Sequence, residues 1–291
     1  MANLKDLKLR IRSVKSTQKI TKAMKMVSAS KLRRAKEAIE TNRPYTEKMN
    51  EITKVVASHI ENAHSISLFY GKKDIKDIVF IVITSDRGLC GALNSSVVRL
   101  IKRKLAESKS QGHIVKVLCI GKKGFEQLAI LKDTEIQLVD DFIYGKKIRV
   151  EPIRKLAKVL VSDYGNSMFD ICYVFFNEFI SSVCYNTTFK QIIPVFTKQE
   201  TLTENLDNQF IFEPEAEKMV DDLIERNLTV NLFSVILENI ASEHGARMTA
   251  MENASSNAGE MIKDLNILYN RKRQSAITTE LIEIIAGAEA L

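Results

Sequence analysis

From Pro214 to Leu291 the chain contains no second proline, and this run reads as one very long helix. Glu213-Pro214-Glu215 supplies its start, because proline is tolerated in a first helical turn and acids there favour the positive end of the helix dipole. At ~1.5 Å of rise per residue, about 70 residues would span ~105 Å, several times the width of a small domain. A compact core cannot wrap a helix of that length, so its apolar face requires a long partner. Met251, Ala254, Ala258, Met261, Leu265 and Leu268 recur at alternating intervals of three and four, the spacing of a coiled-coil seam. Gly245 and Gly259 each weaken the helix by ~1 kcal/mol and leave room for another backbone to approach.

The other terminus offers the partner. Residues 3 to 58 contain no glycine and one proline, Pro44, which is expected to kink or briefly interrupt a helix. Leu4, Leu7, Ile11 and Val14 repeat at coiled-coil spacing. Gln18 and Thr21 take the next seam positions, and the apolar stripe is expected to resume in a shifted register at Ile20, Met24 and Val27. Charge supports the pairing. Residues 1–36 carry twelve Lys/Arg against the single acid Asp6, whereas residues 213–291 carry seven bases against fourteen acids. Segments of net +11 and −7 are electrostatic complements.

Between them the texture changes at Gly71. Ile78–Thr84 is a continuous apolar run, as in a strand buried on both faces. The turn Ser85-Asp86-Arg87-Gly88-Leu89-Cys90-Gly91 follows, then a helix to about Lys109. Further strands are expected at Ile114–Ile120, Glu135–Val139, Phe169–Phe176 and Thr188–Phe196. Helices are expected from Lys122 and, with Pro152 at the first position, over Ile153–Tyr164. Alternating strands and helices indicate a mostly parallel, Rossmann-like α/β sheet. Residues 197–209 read as a polar loop. The fold class is therefore α/β, with an antiparallel two-helix coiled coil. Residues 1–58 form one helix, 71–200 the central domain, and 210–291 the helix that pairs with 1–58.

Several function classes are disfavoured. No apolar run reaches the ~20 residues of a membrane span. Met1 to Asp6 has no signal-like apolar core, so the expected compartment is a bacterial cytoplasm. Cys90, Cys119, Cys172 and Cys184 form no C-x-x-C pair, and His59, His64, His113 and His244 are scattered, so no metal or cofactor site is expected. The Gly88–Gly91 turn invites a nucleotide-binding reading, but the glycine-rich phosphate-binding patterns are absent. The basic N-terminal segment invites a nucleic-acid reading, but residues 1–36 contain no aromatic side chain to stack on bases. Both stay open as alternatives to a protein–protein role.

Three motifs carry a resemblance. The run Thr17–Ala35 (TQKITKAMKMVSASKLRRA) resembles the N-terminal helix of the gamma-subunit family of the rotary F-type ATP synthase, bacterial type. Thr84–Gly91 (TSDRGLCG) is similar to that family's central motif. Ser242-Glu243, Ala246-Arg247-Met248, Tyr269-Asn270, Arg273-Gln274 and Glu280-Leu281 are similar to its C-terminal helix. The likeness covers the whole chain in order.

The resemblance implies a non-catalytic central shaft that couples rotation of a proton-driven membrane ring to conformational cycling of the catalytic subunits. The implied partners are the alpha and beta subunits of the catalytic head, the epsilon subunit and the ring of c subunits. No nucleic acid is implied, and the membrane is reached only through the complex, at the cytoplasmic face of the bacterial inner membrane. By the same resemblance, Arg273 and Gln274 are catch residues, and Met24, Lys25, Arg87 and Cys90 face the lever of the catalytic subunit. Phe210, Phe212 and Glu213 meet the ring and the companion subunit. Plastid relatives carry a two-cysteine insertion used as a redox switch; residues 197–213 contain no cysteine, so thiol regulation of that kind is not expected.

Overall fold

The computed structural model describes residues 4–60, 63–72, 74–131, 133–139, 143–144, 147–196 and 216–289. Six helices and seven strands follow one another among these residues. Their order is α1 Leu4–Ala57, α2 Ala63–Tyr70, β1 Asp77–Ile83, α3 Leu93–Ser110, β2 Ile114–Ile120, α4 Lys122–Leu128 and β3 Glu135–Leu138. Then come β4 Ile143–Tyr144, β5 Lys147–Ile148, α5 Val150–Gly165, β6 Ile171–Phe179, β7 Tyr185–Ile193 and α6 Ala216–Glu289. The chain divides into two compact units, Lys31–Ala246 and the paired segments Met1–Ser30 and Arg247–Leu291.

The larger unit holds a five-stranded sheet in the order β3-β2-β1-β6-β7. β1 pairs in parallel with β2 and β6, β2 with β3, and β7 turns back antiparallel to β6. β1 is apolar at nearly every position because both faces are covered. Ile78, Phe80 and Val82 pack with Val97, Ile101 and Leu105 of α3. On the other face Val79, Ile81 and Ile83 pack with Ile153, Ala157 and Leu160 of α5 and with Ile224, Leu228 and Leu232 of α6. Helices on both faces of a mostly parallel sheet make the expected α/β core.

β6 spans Ile171–Phe179 and β7 Tyr185–Ile193, against the expected Phe169–Phe176 and Thr188–Phe196; the tight turn at Ser181–Cys184 lets the hairpin pair almost to its tip. α2 and the small β4–β5 pair have no counterpart in the sequence reading. Pro44 does not interrupt α1, which is helical throughout Leu4–Ala57. Glu40, Thr41 and Pro44 are all exposed, so water can take the hydrogen bond that the proline cannot donate to the Glu40 carbonyl.

The smaller unit is an antiparallel helix pair. Leu7 and Ile11 of α1 meet Leu265 of α6, Gln18 reaches the Ser255 carbonyl at 3.4 Å, and Lys25 forms an ion pair with Glu252. The expected register shift on α1 does not occur. Leu7, Ile11, Val14, Gln18, Thr21, Lys25 and Ser28 keep the three-four repeat and line the buried side, while Ile20 and Val27 are each 57% exposed. Polar and small residues simply replace large apolar ones along an unbroken seam. On α6 the buried side follows Met251, Ser255, Ala258, Ile262, Leu265 and Tyr269. Met261 and Leu268, expected in the seam, are 46% and 41% exposed. Every seventh residue is fixed by the repeat, but the partner's lean selects the residue between. Here α1 leans toward Ser255 and Gly259, the latter lying opposite the Gln18 amide.

Candidate functional site

The turn after β1 is tied internally. The Ser85 hydroxyl donates to the Arg87 carbonyl at 2.7 Å and accepts from the Asn94 amide at 2.7 Å. Asn94 Oδ1 accepts the Ser85 N–H at 3.1 Å, and its Nδ2 lies 3.3 Å from Cys90 Sγ. Cys90 is 2% exposed, so its sulfur serves this knot rather than any outward surface. The residues on display are Asp86, Arg87, Gly88 and Leu89. Asp86 accepts the first N–H of α4, from Lys122, at 3.1 Å. Leu89 holds φ 64°, a region costly for a branched side chain, and is 63% exposed. Sequence reasoning singled out Arg87 and Cys90 and passed over Leu89 between them.

β1 and β6 are parallel neighbours from which the chain proceeds in opposite directions, toward β2 on one side and β7 on the other. In such sheets the crevice beyond the strand ends at this switch point is the usual ligand site. Here α6 occupies it. Asn177 of β6 lies beyond the last β1 pair, Val82–Phe175. Its N–H donates to Asn239 Oδ1 at 3.2 Å, and its C=O accepts the Ser242 hydroxyl at 3.0 Å. Its side chain donates to Asn239 Oδ1 at 3.3 Å and accepts from Thr187 at 2.8 Å. One turn further along α6, a β-carbon on Gly245 would sit 2.9 Å from the Ser182 carbonyl oxygen. Just beyond β2 the backbone is equally close-packed: β-carbons on Gly121 and Gly124 would meet Thr84 at 2.1 and 2.6 Å. The crevice at the switch point is therefore filled by α6, which argues against the nucleotide-binding alternative, while the Gly88–Gly91 turn itself stays exposed. Asn239 and Ser242 escaped the sequence reading, in which they are merely two polar residues three apart on a long helix.

In the helix pair, Met24 and Lys25 are half-buried, and Lys25 is already paired with Glu252. Lys19, Lys22, Lys25 and Lys263 line a groove of about 580 Å³ with Glu252 and Glu260. Arg273 and Gln274 are exposed, as are the residues that follow to Ala288. This stretch carries Ile277, Leu281, Ile284 and Ile285 on its surface, a stripe the sequence reading did not use. Phe210, Phe212 and Glu213, and the loop before them, lie outside the described residues.

Few groups show altered acidity. Burial pushes the Cys119 thiol up to about 12 and the Cys172 thiol higher still, so neither is a nucleophile at neutral pH. Burial also raises Glu238, reinforced by Glu178 and partly offset by Lys190 and Arg43. For Asp170 burial acts upward, but the N–H groups of Lys76 and Asp77 and the Lys72 ammonium outweigh it and hold the carboxyl below its usual range. Among the described residues no cluster of His, Cys, Asp or Glu is placed to hold a metal ion, and no helix is long and apolar enough to cross a membrane. The exposed turn after β1, the lysine-lined groove and the apolar stripe of α6 are the candidate surfaces for contact with other proteins.

Comparison with known proteins agrees. A family model described as ATP synthase matches residues 3–291. The ATP synthase gamma chain of Pelagibacter ubique is 43% identical over 293 residues, covering 100% of both chains. A chain from the central stalk and c-ring of the Tetrahymena thermophila mitochondrial ATP synthase superposes with a TM-score of 0.60 at 25% identity, covering 81% of this chain and 99% of that one. A chain from the Euglena gracilis mitochondrial ATP synthase shares the fold at 17% identity, with a TM-score of 0.66 over 99% of this chain and 94% of that one.

Proposed function

The chain belongs to the ATP synthase gamma-chain family, and on that premise we propose that it is the rotating central shaft of a proton-translocating ATP synthase. The observation that carries this reading is the end-to-end match at 43% identity to an ATP synthase gamma chain. The antiparallel pairing of α1 with α6 supports it, as does the filled crevice of the α/β sheet.

The chain makes and breaks no covalent bond in this reading. It turns inside a head of alpha and beta subunits and biases each catalytic subunit by presenting a different face. Driving one site from a 1:99 to a 99:1 population takes ~5.5 kcal/mol of differential contact. Arg273 and Gln274 supply catch contacts, and arginine suits them because its planar fork grips carboxylates and stays charged. Met24 and Lys25 face the lever of the catalytic subunit, with Lys25 exchanging Glu252 for an acid of the partner. Arg87 contributes from the turn after β1, while Cys90 acts by shaping that turn. Phe210, Phe212 and Glu213 contact the c ring and the epsilon subunit. Residues 1–58 and 210–291 form the shaft and 71–200 the domain that meets the ring, at the cytoplasmic face of the bacterial inner membrane. No nucleic acid is involved in this reading, since the basic residues 1–36 carry no aromatic side chain to stack on bases.

The test is reconstitution. Purified alpha and beta subunits are expected to hydrolyse ATP cooperatively only when this chain is added. Assembly without any stimulation would overturn the reading.

A further inference from the structure

Torque on a helix can be passed to the domain it crosses only if the helix cannot roll or slide there. Most contacts between α6 and the α/β core are apolar: Val220, Ile224, Leu228, Leu232, Val235 and Ile236 pack against the sheet and α5. Such burial is strong but non-directional. It resists separation better than rotation. One place differs. Where β1 has ended, β6 would present an unpaired N–H and C=O at Asn177, in the core of the protein. Asn239 and Ser242 satisfy both, and they stand three residues apart on one face of α6. Asn177 is tied in turn to β7 through Thr187 and to the first residue of α3 through the Leu93 carbonyl. At Gly245, one turn on, the backbone of the β6–β7 turn closes against the helix.

We propose that Asn177, Asn239 and Ser242, with Gly245, form a lock that fixes the rotational setting of α6 in the α/β domain and so carries torque between them. The proposal rests on the rotor function. A roll of α6 by one residue, ~100°, or a slide of one rise, ~1.5 Å, would strip both main-chain groups of Asn177 of their partners at once. The two bonds therefore oppose both motions, which the apolar contacts alone do not. Asn177, Asn239 and Ser242 are positioning residues: they touch no nucleotide and no coupling ion.

The experiment uses the whole synthase in inverted membrane vesicles, with ATP hydrolysis and ATP-driven proton uptake measured on the same preparation. The wild-type chain defines the coupling ratio. Asn239→Leu keeps the volume and removes the acceptor; Ser242→Ala removes one oxygen atom and carries the test if the first variant fails to assemble. Leu228→Ala, in the apolar part of the same helix, is the control for plain destabilisation. The expected result is near-normal hydrolysis with proton uptake reduced at least about threefold in the lock variants, and an unchanged ratio in Leu228→Ala. An unchanged ratio in assembled Ser242→Ala, or an equal fall in Leu228→Ala, overturns the lock. Failure of the wild-type chain itself to couple hydrolysis to uptake would overturn the rotor reading and the lock with it.

Discussion

Two carboxyl groups in the α/β unit respond to pH in opposite senses. Asp170 accepts the N–H groups of Lys76 and Asp77 at 2.8 and 3.1 Å and faces Lys72, with its side chain 12% exposed. Its pKa is held below the ordinary value of 3.8, so it contributes stability that is present above that value and is lost as pH falls through the lower folded value. Asp170→Asn is expected to lower stability at neutral pH by about 1–3 kcal/mol and to flatten the acid limb of a denaturation series. Glu238 is the reverse case. Burial beside Glu178 raises it above 4.5, so the folded state holds its charge at a cost at neutral pH. Glu238→Gln is expected to raise the melting temperature at pH 7, with the gain vanishing once the pH falls below the ordinary carboxylate value. A gain that persists in acid would remove burial as its cause.

The long helices carry two glycines whose substitution separates propensity from packing. Alanine in place of either gains up to about 1 kcal/mol of helix propensity. At Gly245 the new methyl would press on the Ser182 carbonyl at 2.9 Å, main-chain atoms that a tight turn holds in place. Gly245→Ala is expected to cost about 1–3 kcal/mol net. At Gly259 the neighbour is the Gln18 amide at 3.1 Å, the free end of a flexible side chain. Gly259→Ala is expected to stabilise by a few tenths to about 1 kcal/mol. Urea midpoints for the two variants should therefore move in opposite directions.

The elements themselves were largely legible in the sequence, because short β-branched runs such as Ile78–Ile83, bounded by polar turns and alternating with helical stretches, read as buried strands. The failures have physical causes. Ile20 and Val27 misled because apolar residues on an exposed face mimic a shifted seam. Pro44 misled because an exposed helix tolerates a lost hydrogen bond. Asn239 and Ser242 went unread because their value depends on where β1 stops, which no local pattern records.

For the whole molecule, the proposed function gives each unit a part: the helix pair is proposed to contact the catalytic head and the α/β domain to receive torque. The proposed contact residues rest on motif resemblance, not on chemistry. Arg273 is an ordinary exposed arginine by every geometric measure, and only its match to the catch motif distinguishes it. Arg273→Ala is expected to change stability by no more than about 0.5 kcal/mol. It should lower coupled ATP synthesis by up to about tenfold, equivalent to ~1.4 kcal/mol of catalytic-subunit bias. Unchanged synthesis in membranes would take Arg273 off the contact surface. The central claim is rotation, and the protein offers a handle for it: Cys184 is exposed while Cys90, Cys119 and Cys172 are buried. With the catalytic head immobilised and a probe coupled to Cys184, ATP should drive stepwise turning of the probe in one direction. Sustained hydrolysis with a stationary or randomly rotating probe would contradict the account.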